Sequence, residues 1–126
     1  MKIETTAESF KKKILSSIAP IGSIETMEPI EFKILSCEEI QEVLSINGIL
    51  IDVRTPKEFN SVRLFNARNI PLMHIIKTLE TTERNIPVLL YSNNGTRAEA
   101  AKKKLLAVGF SNVTNIGELK SYPFCS

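Results

Sequence analysis

The residues of this chain whose types and spacing could do chemistry stand together at Ser92-Asn93-Asn94-Gly95-Thr96-Arg97. Asn and Gly accept positive φ at least cost, so the stretch predicts a tight turn whose backbone N–H groups are left unpaired. Before it, Val88-Leu-Leu-Tyr91 is an apolar run short enough for a strand buried on both faces. After it comes a helical pattern that sets Ala98, Ala101, Leu105 and Val108 on one face. A strand feeding a helix through such a turn gathers the N–H groups and the positive helix end around one point. Arg97 adds a full positive charge near the helix start, where the macrodipole disfavours it and the helix itself supplies no reason for it. These features predict an anion cradle, to which Asn93, Asn94 and Thr96 contribute mainly through backbone N–H groups.

Two further groups of residues have chemical potential. Asp52, Arg54 and Glu58 cluster where a strand would end, the edge at which open α/β sheets place their sites. They either touch a ligand or hold the loop through mutual ion pairs. His74 is the single histidine and falls on a helical stretch, where a surface or half-buried residue is expected rather than a general base. Cys37 and Cys125 lie far apart and make no CxxC or metal-ligand spacing, so no metal and no organic cofactor is implied. A disulfide between them is possible but not required. Plain thiols in a reduced, cytoplasmic protein are expected, with a free Cys125 tail acting in chemistry as a remote alternative.

The elements that must position these residues follow from patterning. Ser36-Cys37-Glu38-Glu39 and Thr55-Pro56-Lys57-Glu58 both read as helix starts, with a hydroxyl N-cap and Glu three residues on. Strands are predicted at Phe32–Leu35, at Ile49–Val53 and from Val88, with a last one at Ser111–Ile116, after which Gly117 leads into a terminal segment. The stretch from Asn60 to Phe65 reads as irregular, and Ala67–Ile70 is too short to assign. After Pro71, Leu72, Ile75, Ile76 and Leu79 share a helix face, and Gly109 is a natural helix stop. Strands alternating with helices through short turns predict a doubly wound α/β fold, a parallel sheet covered on both faces.

At the other end of the chain, Thr5-Thr6-Ala7-Glu8 followed by Phe10, Ile14 and Ile18 predicts an amphipathic helix ended by Pro20 and Gly22. It would pack on its own domain or on a homodimer mate, so monomer and homodimer both stand. Residues 1–30 are thus expected to form a helical extension and linker, and residues 31–126 the domain. A formal net charge of +2 argues against nucleic acid or an anionic membrane as an obligatory partner. No apolar run reaches membrane-spanning length.

In order, Ile49-Leu-Ile-Asp-Val-Arg54, Glu58-Phe59, Ala67-Arg-Asn-Ile-Pro-Leu72, then Val88-Leu-Leu-Tyr91 and a six-residue loop closing on Gly95-x-Arg97 resemble the rhodanese family from about Phe32 to Tyr122. The resemblance implies a parallel sheet of about five strands with helices on both sides. It also implies sulfur transfer: a loop cysteine thiolate takes sulfane sulfur from a donor such as thiosulfate and passes it, as a persulfide, to cyanide, a thiol or a protein acceptor. The position matching that cysteine is Ser92, whose hydroxyl lacks a soft sulfur and needs a base to act as a nucleophile. Val62-Arg63-Leu64-Phe65-Asn66 also departs from the Gly-His-Ile-Pro-Gly usual in the family, and Tyr122 stands where a tryptophan is common.

Three functions remain open on these grounds. The first is a binding or regulatory module that retains the cradle for a small anion (thiosulfate, sulfate or a phosphate-like group) and lacks the nucleophile. The second is an active sulfurtransferase in which Ser92 is an introduced substitution. The third is a phosphate- or arsenate-ester hydrolase, which the six-residue loop disfavours because phosphatases of this fold use one residue more.

Overall fold

The computed structural model describes residues 30–123 and residue 125, so the expected N-terminal helix lies outside the described residues. Four strands form one sheet: β1 (Ile49–Asp52), β2 (Arg68–Asn69), β3 (Val88–Ser92) and β4 (Val113–Glu118). Their order is β2-β1-β3-β4 and every pairing is parallel. Between them run α1 (Cys37–Ser45, ahead of β1), α2 (Pro56–Ser61), a 3-10 turn (Leu72–His74) leading into α3 (Ile75–Thr78), and α4 (Thr96–Ala107). A second 3-10 turn (Leu119–Ser121) follows β4.

Parallel strands need covering on both faces, and β1 and β3 are buried at every position. Alternate residues supply two separate cores. Ile49, Ile51, Val88 and Leu90 pack with Ala98, Ala101 and Leu105 of α4 and with Ile75 and Leu79. Leu50, Leu89 and Tyr91 pack on the other face with Ile40 of α1, Leu64, Ile116 and Tyr122. Both expected capping boxes are formed: Ser36 with Glu39, and Thr55 with Glu58.

Several expectations are corrected. Phe32–Leu35 is not a strand. It runs beside β4 with a single backbone bond, Lys33 N–H to the Asn115 carbonyl at 2.9 Å, so the sheet of the described residues has four strands and not five. The last strand lies two residues later than expected and contains Gly117, because a bulge opposite Leu90–Tyr91 lets β4 continue past it. Asn60 and Ser61 belong to α2, and Val108 caps α4 at 40% exposure instead of joining its buried face. Cys37 and Cys125 are joined in a disulfide, with Cα atoms 5.7 Å apart. Linear spacing hid this pairing, because it is the fold that brings Cys125 back to the start of α1 across a sequence separation of 88. The reduced-thiol and free-tail expectations fall with it, and cysteine usage no longer argues for the cytoplasm. No helix among the described residues is long and apolar enough to cross a membrane.

Phe32 has a role that its irregular backbone conceals. Its ring lies over both Gly95 (φ +82°) and Gly117 (φ +94°), and a Cβ on Gly95 would stand 3.1 Å from two ring carbons. A Cβ on Gly117 would meet the same ring still closer, in a backbone conformation that L side chains rarely adopt. Gly117→Ala is therefore expected to lower the unfolding free energy by about 1–3 kcal/mol, the usual cost of a non-glycine residue in such a conformation. Urea denaturation of the two chains checks this.

A candidate anion site at the switch point of the sheet

In the order β2-β1-β3-β4 the chain turns to one side after β1 and to the other with β3, so a crevice opens at the carboxyl ends of these two central strands. Asp52 ends β1 and Ser92 ends β3, so the two sequence clusters converge at that crevice. Ser92 is fully buried, and its Oγ accepts the Ala98 amide at 3.3 Å across the start of α4. Gly95, in the left-handed conformation, is the N-cap of α4 and makes no side-chain cap bond. The Thr96 amide is taken by Asn94 Oδ1 at 3.0 Å. The amides of Asn93, Asn94, Gly95 and Arg97 donate to no acceptor among the described residues.

Two ion pairs hold the loop from beneath and from the side. Asp52 and Arg54 form a buried pair, with Arg54 Nη2 2.7 Å from Asp52 Oδ2 and Nε bonded to both carboxylate oxygens. Burial opposes the charge on Arg54, yet the hydrogen bond and attraction of Asp52 outweigh it and raise the guanidinium pKa. Arg54 also donates to Asn93 Oδ1 at 3.0 Å and to the Val62 carbonyl. Glu58 is the second hub. One oxygen accepts Arg97 Nη1 at 2.9 Å and the Thr55 amide at 2.9 Å, while the other accepts Arg97 Nη2 at 3.1 Å and Asn93 Nδ2 at 2.8 Å.

Arg97 is therefore not a spare cation. Its expected lack of a local partner reflects a partner on α2, invisible in the α4 sequence. Formal side-chain charge in the cluster sums to zero: Asp52 and Glu58 offset Arg54 and Arg97. Any attraction for an anion would then rest on the four unpaired amides and the positive end of α4.

Sequence reasoning missed three supports. Asn115, 1% exposed, donates to the Gly95 carbonyl at 3.1 Å and to Glu99 Oε1 at 3.0 Å, fastening the loop to β4. An Asn beside Ile116 in a strand, where Asn is disfavoured, was the available clue. Asn69 Nδ2 bridges the carbonyls of Asp52 and Arg54. The phenol of Tyr91, buried and so pushed well above its ordinary pKa, accepts the Leu64 amide at 3.0 Å. Beside the loop, Val62, Asn93, Leu119, Lys120, Tyr122 and Pro123 line a mostly apolar cleft of about 570 Å³. His74 is exposed on its 3-10 turn, as expected. Among the described residues no group of three or more His, Cys, Asp or Glu side chains could hold a metal ion.

A parallel α/β domain with a loop of open amides at its switch point is a ligand-binding architecture, and its similarity to known proteins narrows the class. The family model for the rhodanese-like domain matches residues 36–118, and the chain belongs to that family. It is 35% identical over 72 residues to thiosulfate sulfurtransferase PspE of Escherichia coli (strain K12), covering 56% of this chain and 69% of that one. Among solved structures it is similar to a rhodanese with anions from E. coli, at 31% identity and a TM-score of 0.56, covering 60% of this chain and 92% of that one. The human single-domain sulfurtransferase TSTD1 shares the fold with a TM-score of 0.61 at 18% identity, over 72% of this chain and 95% of that one.

The ion pair at Glu58 gives a pH signature. Hydrogen bonds from Arg97, with that of the Thr55 amide, lower its pKa from 4.5 to about 2. Because the folded value lies below the unfolded one, the stabilisation is complete above the unfolded value and is lost as pH falls towards about 2. Melting temperatures of the native chain and of Glu58→Gln, followed from neutral to acid pH, are expected to converge across this interval.

Proposed function

We propose that this chain is an anion-binding rhodanese-like module that does not transfer sulfur as it stands, because Ser92 occupies the position of the family's cysteine. The observation that carries this reading is the environment of Ser92. Its buried hydroxyl accepts the Ala98 amide, and none of the described hydrogen bonds gives its proton to a carboxylate or an imidazole. An alcohol without a base remains an alcohol near neutral pH. The remaining cysteines are tied to each other and offer no thiolate in the disulfide form.

The cradle nonetheless retains what a tetrahedral oxyanion needs. Unpaired amides at the start of a twelve-residue helix suit thiosulfate, sulfate or a phosphate-like group. A thiolate at position 92 would occupy the same field, which favours its ionised form. It would attack the outer sulfur of thiosulfate, form an S–S bond as the sulfur–sulfur bond of thiosulfate breaks, and release sulfite with the electron pair. Binding alone is the function proposed for the serine form, with a sulfur-bearing small molecule or protein as the partner.

Intact mass after incubation with thiosulfate tests the reading directly. The chain as given is expected to stay unchanged, while Ser92→Cys gains the mass of one sulfur atom. Gain by neither chain would mean that the cradle is not a sulfur site. A gain by the serine chain would move the chemistry to Cys37 or Cys125.

The charge arrangement makes a second test. Arg97→Ala unfastens the loop from α2 and leaves the Glu58 carboxylate without its counter-ion beside the cradle. Loss of a charge-assisted contact predicts thiosulfate binding weaker by about 10- to 100-fold. Glu58→Gln loosens the same fastening but removes a like charge and keeps the Arg97 cation, so a smaller loss is expected. Titration calorimetry of both variants with thiosulfate reads the order.

A further inference from the structure

The Cys37–Cys125 pair lies away from the cradle, on the face of the sheet covered by α1. Both cysteines are half-buried, and with Ile40, Gln41, Leu50, Leu64 and Phe65 they line a cavity of about 220 Å³. Phe65 at its edge is 66% exposed, and neither cysteine is fully buried, so the pair is not sealed in the core. The bonds around the pair lead straight to the cleft. The Phe65 amide donates to the Cys125 carbonyl at 2.8 Å, and the Cys125 amide donates to the Tyr122 carbonyl at 3.1 Å. Tyr122 and Pro123 on one segment, and Val62 on the other, line the cleft beside Asn93. The disulfide thus pins Cys125 to α1, and through the Cys125 carbonyl it holds Phe65.

We propose that Cys37 and Cys125 form a thiol–disulfide exchange site whose substrate is a small dithiol, and whose oxidation state fastens or frees the backbone at Phe65. One thiolate of the dithiol attacks the Cys125 sulfur; the Cys37–Cys125 bond breaks, and Cys37 leaves as a thiolate at the first position of α1. The second thiol of the reductant attacks the mixed disulfide and releases Cys125. Two electrons and two protons pass from the dithiol, which becomes a cyclic disulfide, to the two cysteines. Tyr122 keeps its place after reduction, since it is buried and its hydroxyl bonds the Ile116 carbonyl at 2.6 Å and the Leu35 amide at 3.2 Å. Release is therefore confined to Cys125 and to the Phe65 amide it holds.

Two adjacent amides report the difference. Leu64 donates to the Tyr91 hydroxyl inside the core, and Phe65 donates to the tethered Cys125. Hydrogen exchange of the whole chain is to be followed by NMR in the disulfide form and after reduction with dithiothreitol. The exchange rate at Phe65 is expected to rise by at least ~10-fold more than at Leu64 or the β3 amides, since a local opening moves only the groups it frees. Cys125→Ser should match the reduced chain and ignore added oxidant; should that variant not fold, the reduced native chain carries the test. An equal rise at all these amides would make the disulfide a global staple and overturn the proposal. So would an unchanged Phe65, or two titratable thiols in the oxidised chain. The readout involves no anion, so it stands or falls apart from the cradle.

Discussion

The carboxylate of Glu58 is the interaction on which the crevice depends. It closes the N-terminus of α2 by accepting the Thr55 amide, and it receives both terminal nitrogens of Arg97 and the side-chain amide of Asn93. Three separate stretches of chain, after β1, after β3 and at the start of α4, are thereby fixed to one group. Beneath it, the Asp52–Arg54 pair satisfies the charges that the strand ends carry into the core, and removing one partner of such a pair strands the other at high cost. The loop is held in an open conformation by contacts outside itself, so its amides need not turn inward to find partners.

A site made in this way has no excess positive side-chain charge of its own. On the proposed reading an anion would be recognised by oriented dipoles at short range and not drawn from a distance by a basic surface. Dipoles fall off faster than charges, so shape and hydrogen-bond geometry would govern selection more than ionic strength does. The overall net charge of +2 agrees with this, being too small to steer ligands by itself.

How much of this was legible beforehand differs between elements for physical reasons. The loop, both capping boxes and the two central strands were readable because their determinants are local: turn-forming residues, hydroxyl caps and short apolar runs. The convergence of Asp52, Arg54 and Glu58 with the loop followed from topology, since parallel strands bring their carboxyl ends to one edge. What failed was non-local. The partner of Arg97 sits on another helix, the bulge that lengthens β4 depends on its pairing with β3, and the disulfide joins residues 88 positions apart. Phe32 looked like part of a strand because an apolar aromatic residue fits one. Its ring instead fills space that two glycines leave empty, a fact that periodicity cannot encode.

That aromatic contact sets a rule for how this sequence can drift. The ring at position 32 and the bare α-carbons at 95 and 117 are complementary in shape, although they come from a lead-in segment, a loop and a strand. A methyl group at 117 would overlap the ring and force it aside, one at 95 would press on it so that it must give by a few tenths of an ångström, and a smaller residue at 32 leaves a hollow beside both glycines. Substitutions at the three positions are therefore coupled through one contact. A lineage that trades the ring away becomes free to close the loop in a new shape, and so to recognise a different ligand.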